Sequence, residues 1–548
     1  MTELKTNEVI GFLKAAGRKL VNGEGREIVL RGVGFGSWLL PEGYMWCFPE
    51  RGDRPRRIER MVEDLIGSEK AAKFWELYYD RYISEPDIER IAAEGFNSVR
   101  VPVNSRFLLE EGESVRYKER HLLLLDRVIG WCRKHRLYVI LDLHGAPGGQ
   151  TGTNIDDSAN DLPELFTDER NMQFTIELWA MLAKRYKDEW IVAGYDLLNE
   201  PLPNWFSEYN DRIMPLYKEI IKAIRKEDDR HMIILEGAHW STDWSIFGEK
   251  LDDNVMLQFH KYWNNPDTES IQHYLDKREQ WEVPIFMGEG GENNKEWYAG
   301  AFRLFEDHDI SWNFWTWKKM DKDNSPCQVH SPMGWDLLIG YLEGGEKPDA
   351  ATAERVLWKY LDNLSFANNA YHPEVVNSLL RRPPVRIPAI FYGFRGENVS
   401  YGVSEKSGNP IGFRERDGTD IRFIESDRAI PNFQHGRGEP WLPDEKLCVQ
   451  LSAGDWLAYE FVTSNHNDDS LYRISLRMLA PHGEGRIEVR LDDVSYGYAA
   501  WSGSSWEEVW LQESVRLDEG NHRVVLLSAS EARHPVRIEW LEIMPWTT

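Results

Sequence analysis

Tyr195-Asp196-Leu197-Leu198-Asn199-Glu200-Pro201 and Pro284-Ile285-Phe286-Met287-Gly288-Glu289 are apolar, strand-like runs that each end on a glutamate. A carboxylate at the C-terminal lip of a barrel strand is where a (β/α)8 enzyme keeps its chemistry. Two of them, 89 residues apart, suit the acid and nucleophile pair that breaks a glycosidic bond. That reaction runs through an oxocarbenium-like transition state. One carboxylic acid protonates the departing oxygen while a second carboxylate faces the anomeric carbon. One strand-end glutamate alone reads equally well as a structural ion pair.

Polar partners fall at the neighbouring strand ends. Arg100 ends the second strand, His144 ends the third, and Asn199 precedes Glu200. His260 and Tyr262 follow the sixth strand, and Trp315 sits near the end of the eighth. A guanidinium beside Glu289 lowers a carboxyl pKa and would keep the nucleophile ionised. The acid instead needs apolar or anionic surroundings. Each partner has a bland alternative, as a barrel ion pair, a satisfied imidazole or a packed indole. Together they favour chemistry. There is no His-Glu-x-x-His or similar ligand cluster, so no metal and no cofactor are expected.

These residues need a scaffold, and the first ~345 residues alternate strand-like and helical patterns as parallel βα units do. The candidate strands are Ile28 to Phe35, Ser98 to Pro102, Tyr138 to Leu143, Gly194 to Leu198, Met232 to Glu236, Val255 to Phe259, Pro284 to Gly288 and Trp312 to Trp317. Amphipathic helices are expected at Asp87 to Glu94, His121 to His135, Glu177 to Tyr186 and Trp205 to Lys226. Eight alternations favour a closed TIM barrel over an open doubly wound sheet. Asn22-Gly23 marks a hairpin at the barrel's N-terminal end. Three connections look long for βα loops, Trp38 to Asp87, Gly145 to Asp168 and Lys318 to Tyr341, and all would rise on the catalytic face. Stacked there, they would narrow a cleft into a pocket for chain ends or small glycosides.

Arg381-Arg382-Pro383-Pro384-Val385-Arg386 reads as a boundary, because paired prolines end helices and stiffen linkers. Residues 1–383 would be the barrel. Residues 384–548 alternate in short segments, such as Trp456 to Val462 and Arg486 to Leu491, and would form an all-β, jelly-roll-like sandwich.

Composition narrows the partners. A formal charge of −26 argues against nucleic acid or anionic lipid as a ligand. No run approaches the ~18 apolar residues of a membrane span. The 24 tryptophans suit pyranose faces and large cores equally well. Cys47, Cys132, Cys327 and Cys448 show no metal or redox spacing. The opening residues lack the pattern of a secretion signal, so a cytoplasmic protein is expected, or a secreted one if a leader has been trimmed.

The constellation resembles glycoside hydrolase family 5, a family of retaining β-glycosidases and endoglucanases. The matching stretches are Asn97-Ser98-Val99-Arg100-Val101-Pro102, Leu141-Asp142-Leu143-His144-Gly145, Leu198-Asn199-Glu200-Pro201, Phe259-His260-Lys261-Tyr262, Met287-Gly288-Glu289 and Phe314-Trp315-Thr316-Trp317-Lys318. The resemblance implies Glu200 as acid/base, Glu289 as nucleophile, Arg100 beside it and Asn199 near the sugar 2-hydroxyl. It implies that His144, His260 and Tyr262 position the sugar or the carboxylates, and that Trp315 forms the platform under the sugar. Trp317, two residues on, competes for that platform role.

Gly36-Ser37-Trp38-Leu39-Leu40-Pro41-Glu42 and His144-Gly145-Ala146-Pro147-Gly148-Gly149-Gln150 look like the exo-β-1,3-glucanase branch. That similarity implies that Glu42, with Trp38 beside it, contacts the terminal sugar. Pro41 and Glu42-Gly43-Tyr44-Met45 depart from the branch pattern, so an endo-β-1,4-glucanase, a furanosidase or another exo-glycosidase stays open. Asp417-Gly418-Thr419-Asp420, Gly454-Asp455-Trp456-Leu457-Ala458-Tyr459 and Ile538-Glu539-Trp540-Leu541-Glu542-Ile543 resemble a family 6 carbohydrate-binding module. Many such modules hold calcium, and Trp506 and Trp501 are the candidates to stack on sugar. The expectation is a retaining hydrolase acting on glucan-type β-glycosides. A non-catalytic carbohydrate-binding protein is the rival class.

Overall fold

Eight short, apolar strands close into a parallel barrel: β1 (Arg31–Gly34), β2 (Ser98–Asn104), β3 (Tyr138–Gly145), β4 (Val192–Asp196), β5 (Met232–Glu236), β6 (Val255–His260), β7 (Ile285–Gly291) and β8 (Ser311–Trp315). Each pairs with the next in sequence, and β8 closes on β1. Strands β2 to β8 are buried at every position. This is why they read as near-continuous apolar runs rather than alternating ones. All eight predicted strands are present, with ends shifted by a few residues. The computed structural model describes residues 7–407, 411–425, 428, 430–464, 471–481, 483–511, 514–529 and 534–546. The opening residues 1–6, read for a leader, lie outside them.

Local signals explain the helices. In α3 (Glu85–Ala93) the N-cap Ser84 and Asp87 form a reciprocal capping box, with Asp87 Oδ2 accepting the Ser84 N–H at 3.0 Å. The predicted hairpin forms: Asn22 Oδ1 accepts the N–H groups of Glu24 and Arg26, each at 3.1 Å.

The first long connection is no open loop. It folds into α1 (Pro55–Ile66) and α2 (Ser68–Tyr82). Ile58, Met61, Val62, Leu65 and Ile66 form one buried stripe at helical spacing, and Pro55 begins the helix. The second, Gly145 to Asp168, is irregular. The third carries two short strands and the helix Trp335–Leu342. Much of the tryptophan content is packing: Trp38, Trp46, Trp179, Trp297, Trp312 and Trp317 are fully enclosed. Among the described residues, no helix is long and apolar enough to cross a membrane.

The chain forms two compact units. The first takes residues 1–261, 274–291 and 310–371, and the second takes 262–273, 292–309 and 372–548. Among the described residues, the second unit is built on two antiparallel sheets, of seven and five strands, as a β-sandwich. The strand Val536–Trp546 is central to the larger sheet, and Trp456–Thr463 and Gly520–Ser528 pair in the smaller. Their inward residues, among them Leu457, Tyr459, Ile474, Leu476, Ile487, Leu526 and Leu541, make its core.

Candidate active site

Arg100, on β2, is wholly buried at the centre of the barrel mouth. Its guanidinium donates to Asp196 Oδ2 at 2.8 Å, to Asn199 Oδ1 at 2.8 Å, to Glu236 Oε1 at 3.0 Å and to Glu289. Asp142 Oδ2 lies 3.2 Å from the same group. One cation therefore faces four carboxylates from β3, β4, β5 and β7. A buried guanidinium satisfies this many planar acceptors only because its five N–H bonds fan out in one plane.

Glu200 lies just past β4, with a left-handed backbone at φ +43°. Its N–H donates to Glu236 Oε2 at 2.7 Å, and its Oε1 lies 2.6 Å from His260 Nδ1. Glu289 is 4% exposed, and its Oε2 lies 3.6 Å from the same imidazole nitrogen. A carboxylate oxygen of Glu200, a nitrogen of His260 and a carboxylate oxygen of Glu289 all lie within 4.8 Å of one another. Among the described residues this trio is also the one group of three such side chains close enough to hold a metal ion.

His144 completes the floor. Its Nδ1 lies 2.7 Å from Asp142 Oδ2, its Nε2 lies 3.5 Å from the Asn199 amide nitrogen, and its ring stacks on Trp315 at 5.5 Å. The Trp315 indole N–H donates to Tyr44 Oη at 2.9 Å. A Cβ at Gly34 or Gly36 would come within 2.8 Å and 2.7 Å of the Trp315 ring, so the glycines of β1 and its loop make room for it. Gly288 does the same for Gln258, whose amide a Cβ there would meet at 2.1 Å.

Burial sets the protonation of this cluster. It pushes Asp142 up to about 8, against the pull of Arg100, and raises Asp196 well above the usual carboxylate range. Asp142 Oδ1 and Asp196 Oδ1 are buried without a hydrogen-bond partner. One oxygen of each is thus desolvated without compensation, which disfavours the ionised form although Arg100 faces the other. Burial also lowers His144 to about 4, so its imidazole is neutral. His260 is raised: burial opposes its charge, but Glu236, Glu289 and Glu200 outweigh it. Glu289 is raised by burial, although His260 and Arg100 pull it down. Arg100 lowers the Glu289 pKa as expected, but desolvation by burial is the larger effect. Glu236 differs: there His260 and Arg100 together outweigh burial and hold its carboxyl below the usual range.

The structure brings together Glu200, Glu289, Arg100, His144, Asn199, His260 and Trp315 from the sequence-derived set. Trp317 lies elsewhere. It is fully buried and its indole donates to Asp87 Oδ1 at 3.0 Å, because β8 ends at Trp315 and the alternation of faces ends with it. Trp38 is also enclosed, donating to the Tyr79 carbonyl at 2.9 Å, and so offers no face to a sugar. Glu42 is 2% exposed, with its N–H on Ser37 Oγ at 3.3 Å. Tyr262 belongs to the second unit, partly exposed and packed on Trp263.

Sequence reasoning missed Asp142, Asp196, Glu236 and Gln258. Glu236 ends an apolar strand just as the two singled-out glutamates do, and that signal was available. In the second unit Asp417 accepts from Tyr392 at 2.8 Å and from Arg414 at 2.7 Å, while Asp420 pairs with Arg422. The two carboxylates of the Asp417-Gly418-Thr419-Asp420 stretch are therefore engaged by protein donors. Trp501 donates to the Ser505 carbonyl at 3.0 Å, within its own turn.

The family model described as Cellulase (glycosyl hydrolase family 5) matches residues 62–321, a stretch that takes in β2 to β8 and both glutamates. A β-xylosidase from Phanerodontia chrysosporium is 32% identical over 46% of this chain and 52% of its own. A probable glucan 1,3-β-glucosidase A from Emericella nidulans is 32% identical over 42% of this chain and 57% of its own. Endoglucanase C from Acetivibrio thermocellus is 25% identical over 44% of this chain and 86% of its own. The chain thus spans about half the length of the first two relatives.

Proposed function

We propose that this chain hydrolyses β-glycosidic bonds with retention of anomeric configuration, with Glu200 as acid/base and Glu289 as nucleophile. The observation that carries the reading is the approach of their carboxylate oxygens to within 4.8 Å. That gap matches the ~5 Å separation of double-displacement enzymes and is too small for the intervening water of inverting ones. In the first step Glu289 attacks the anomeric carbon, the glycosidic C–O bond breaks, and Glu200 gives its proton to the leaving oxygen. Water then attacks the glycosyl ester, Glu200 takes its proton, and the sugar departs with its original configuration while Glu289 regains its charge.

Arg100 and His260 offset charge on Glu289, the neutral His144 keeps Asn199 oriented, and Trp315 offers an apolar face to the sugar ring. The depth of Glu289 favours chain ends or small glycosides as substrates. The names of the relatives point to glucose or xylose as the sugar. We assign residues 1–383 to the hydrolase and residues 384–548 to an accessory sandwich.

The test is a panel of aryl β-glucosides and β-xylosides with the wild type and Glu289→Ala, with the product anomer followed by NMR. Release by the wild type, β-anomer first, and its loss in the variant are expected. Equal rates in both proteins would refute the nucleophile assignment, α-anomer first would refute retention, and binding without release would leave a carbohydrate-binding protein.

A further inference from the structure

The two carboxylate oxygens of Glu236 face different partners. Oε1 accepts from Arg100 at 3.0 Å and from the Gln258 amide, as one more member of the central ion cluster. Oε2 faces the other way, accepting the Glu200 N–H at 2.7 Å, with His260 Nε2 at 3.5 Å. The other ring nitrogen, Nδ1, lies 2.6 Å from Glu200 Oε1. Glu236 thus reaches Glu200 twice, through the main chain and through the imidazole. Its own backbone is held in turn, since the Tyr217 hydroxyl donates to the Glu236 carbonyl at 2.9 Å.

The site needs such a hold. Glu200 has a left-handed backbone, φ +43°, which disfavours a side chain other than glycine and persists only where its surroundings over-determine it. A charge-assisted bond from a buried carboxylate to the strained residue's own N–H supplies that constraint. We propose that Glu236 is a positioning residue for the acid/base step: it locks the backbone of Glu200 and, through His260, aims the Glu200 carboxyl. The assignment rests on the hydrolase reading above and adds to it a residue that does not touch the reacting atoms.

Glu236→Gln is the sharp test. An amide has one accepting edge, but both edges of residue 236 face donors, the Glu200 N–H on one side and Arg100 with Gln258 on the other. One side must therefore be lost. Acid assistance matters most when the leaving oxygen is a poor leaving group, so each protein is assayed on the methyl and the 2,4-dinitrophenyl β-glycoside of one sugar. For the methyl glycoside kcat/KM should fall about 10²-fold. For the dinitrophenyl glycoside, whose aglycone leaves without a proton, it should change less than about 3-fold.

Equal losses on both substrates would make Glu236 a general scaffold residue and overturn the proposal. No loss on either would overturn it as well. Glu236→Asp keeps the charge but withdraws it by one methylene, and is expected to show the same selective loss. It carries the test if the glutamine variant does not fold, as read by near-ultraviolet circular dichroism. A wild type inert toward every glycoside would remove the hydrolase reading and this role together, an outcome distinct from unselective loss.

Discussion

Two buried arginines, one in each unit, place the same guanidinium in opposite company. Arg100 faces Asp142, Asp196, Glu236 and Glu289, all of which can titrate. The Arg414 guanidinium donates to the backbone carbonyls of Ile390 at 3.1 Å, Tyr392 at 2.7 Å and Gly393 at 2.7 Å, and to one carboxylate, Asp417. The rings of Tyr392 and Phe394 lie 3.4 Å and 4.2 Å from its guanidinium carbon. Carbonyls and rings do not exchange protons, so Arg414 is a fixed staple for the turn that holds it. The acids around Arg100 outnumber its charge, and burial raises Asp142, Asp196 and Glu289 while Glu236 is lowered. Burial is common to both sites. The difference is how many of the neighbours are carboxylates: four around Arg100 and one on the Arg414 guanidinium.

The largest effect expected in this contrast is at the barrel centre. Glu289→Ala should reduce turnover of an aryl glycoside by about 10⁴-fold or more, while the melting temperature stays close to the wild-type value. A large fall in both would make Glu289 a structural acid like Asp417. Next is Arg414→Met, which strands three carbonyls and a carboxylate and should destabilise the protein by about 3–5 kcal/mol in urea unfolding. The rate per folded molecule should be unchanged, and a specific loss of rate would erase the distinction between the two arginines.

A smaller effect concerns pH. The folded-state pKa of Asp142 is raised, to about 8, from an unfolded value near ~3.9. Its contribution to stability is therefore present at acid pH and lost as pH climbs toward 8 and beyond. Asp142→Asn, which cannot ionise, should show a shallower fall in melting temperature between pH 6 and pH 9 than the wild type. Parallel curves would mean that Asp142 is already charged at neutral pH. The smallest effect is that of a chelator. With His260 bonded to Glu200 and Arg100 bonded to Glu289, EDTA should leave initial rates unchanged, and a loss restored by added metal would recast the trio as a metal site.

Much of this was legible in the chain. Parallel barrel strands are enclosed on both faces and announce themselves as short apolar runs, so all eight could be placed. Glu200 and Glu289 stood out because a charge that ends such a run must meet a partner or a ligand. The helices α1 and α2 were not placed, although Ile58, Met61, Val62, Leu65 and Ile66 carry helical spacing in α1. Trp38 and Trp317 were misjudged. Aromatic residues are used alike for cores and for sugars, and only the turn after β8 sends Trp317 toward Asp87.

Residue order by itself determined the two architectures, the alternation that closes the barrel and the two glutamates at its rim, because periodicity and strand ends are local properties. The tertiary structure alone decided which side chains share Arg100, that Glu236 grips the backbone of Glu200, and that burial raises the pKa of Glu289 against the pull of His260 and Arg100. Those outcomes depend on distances between residues up to 189 positions apart and on the water excluded between them.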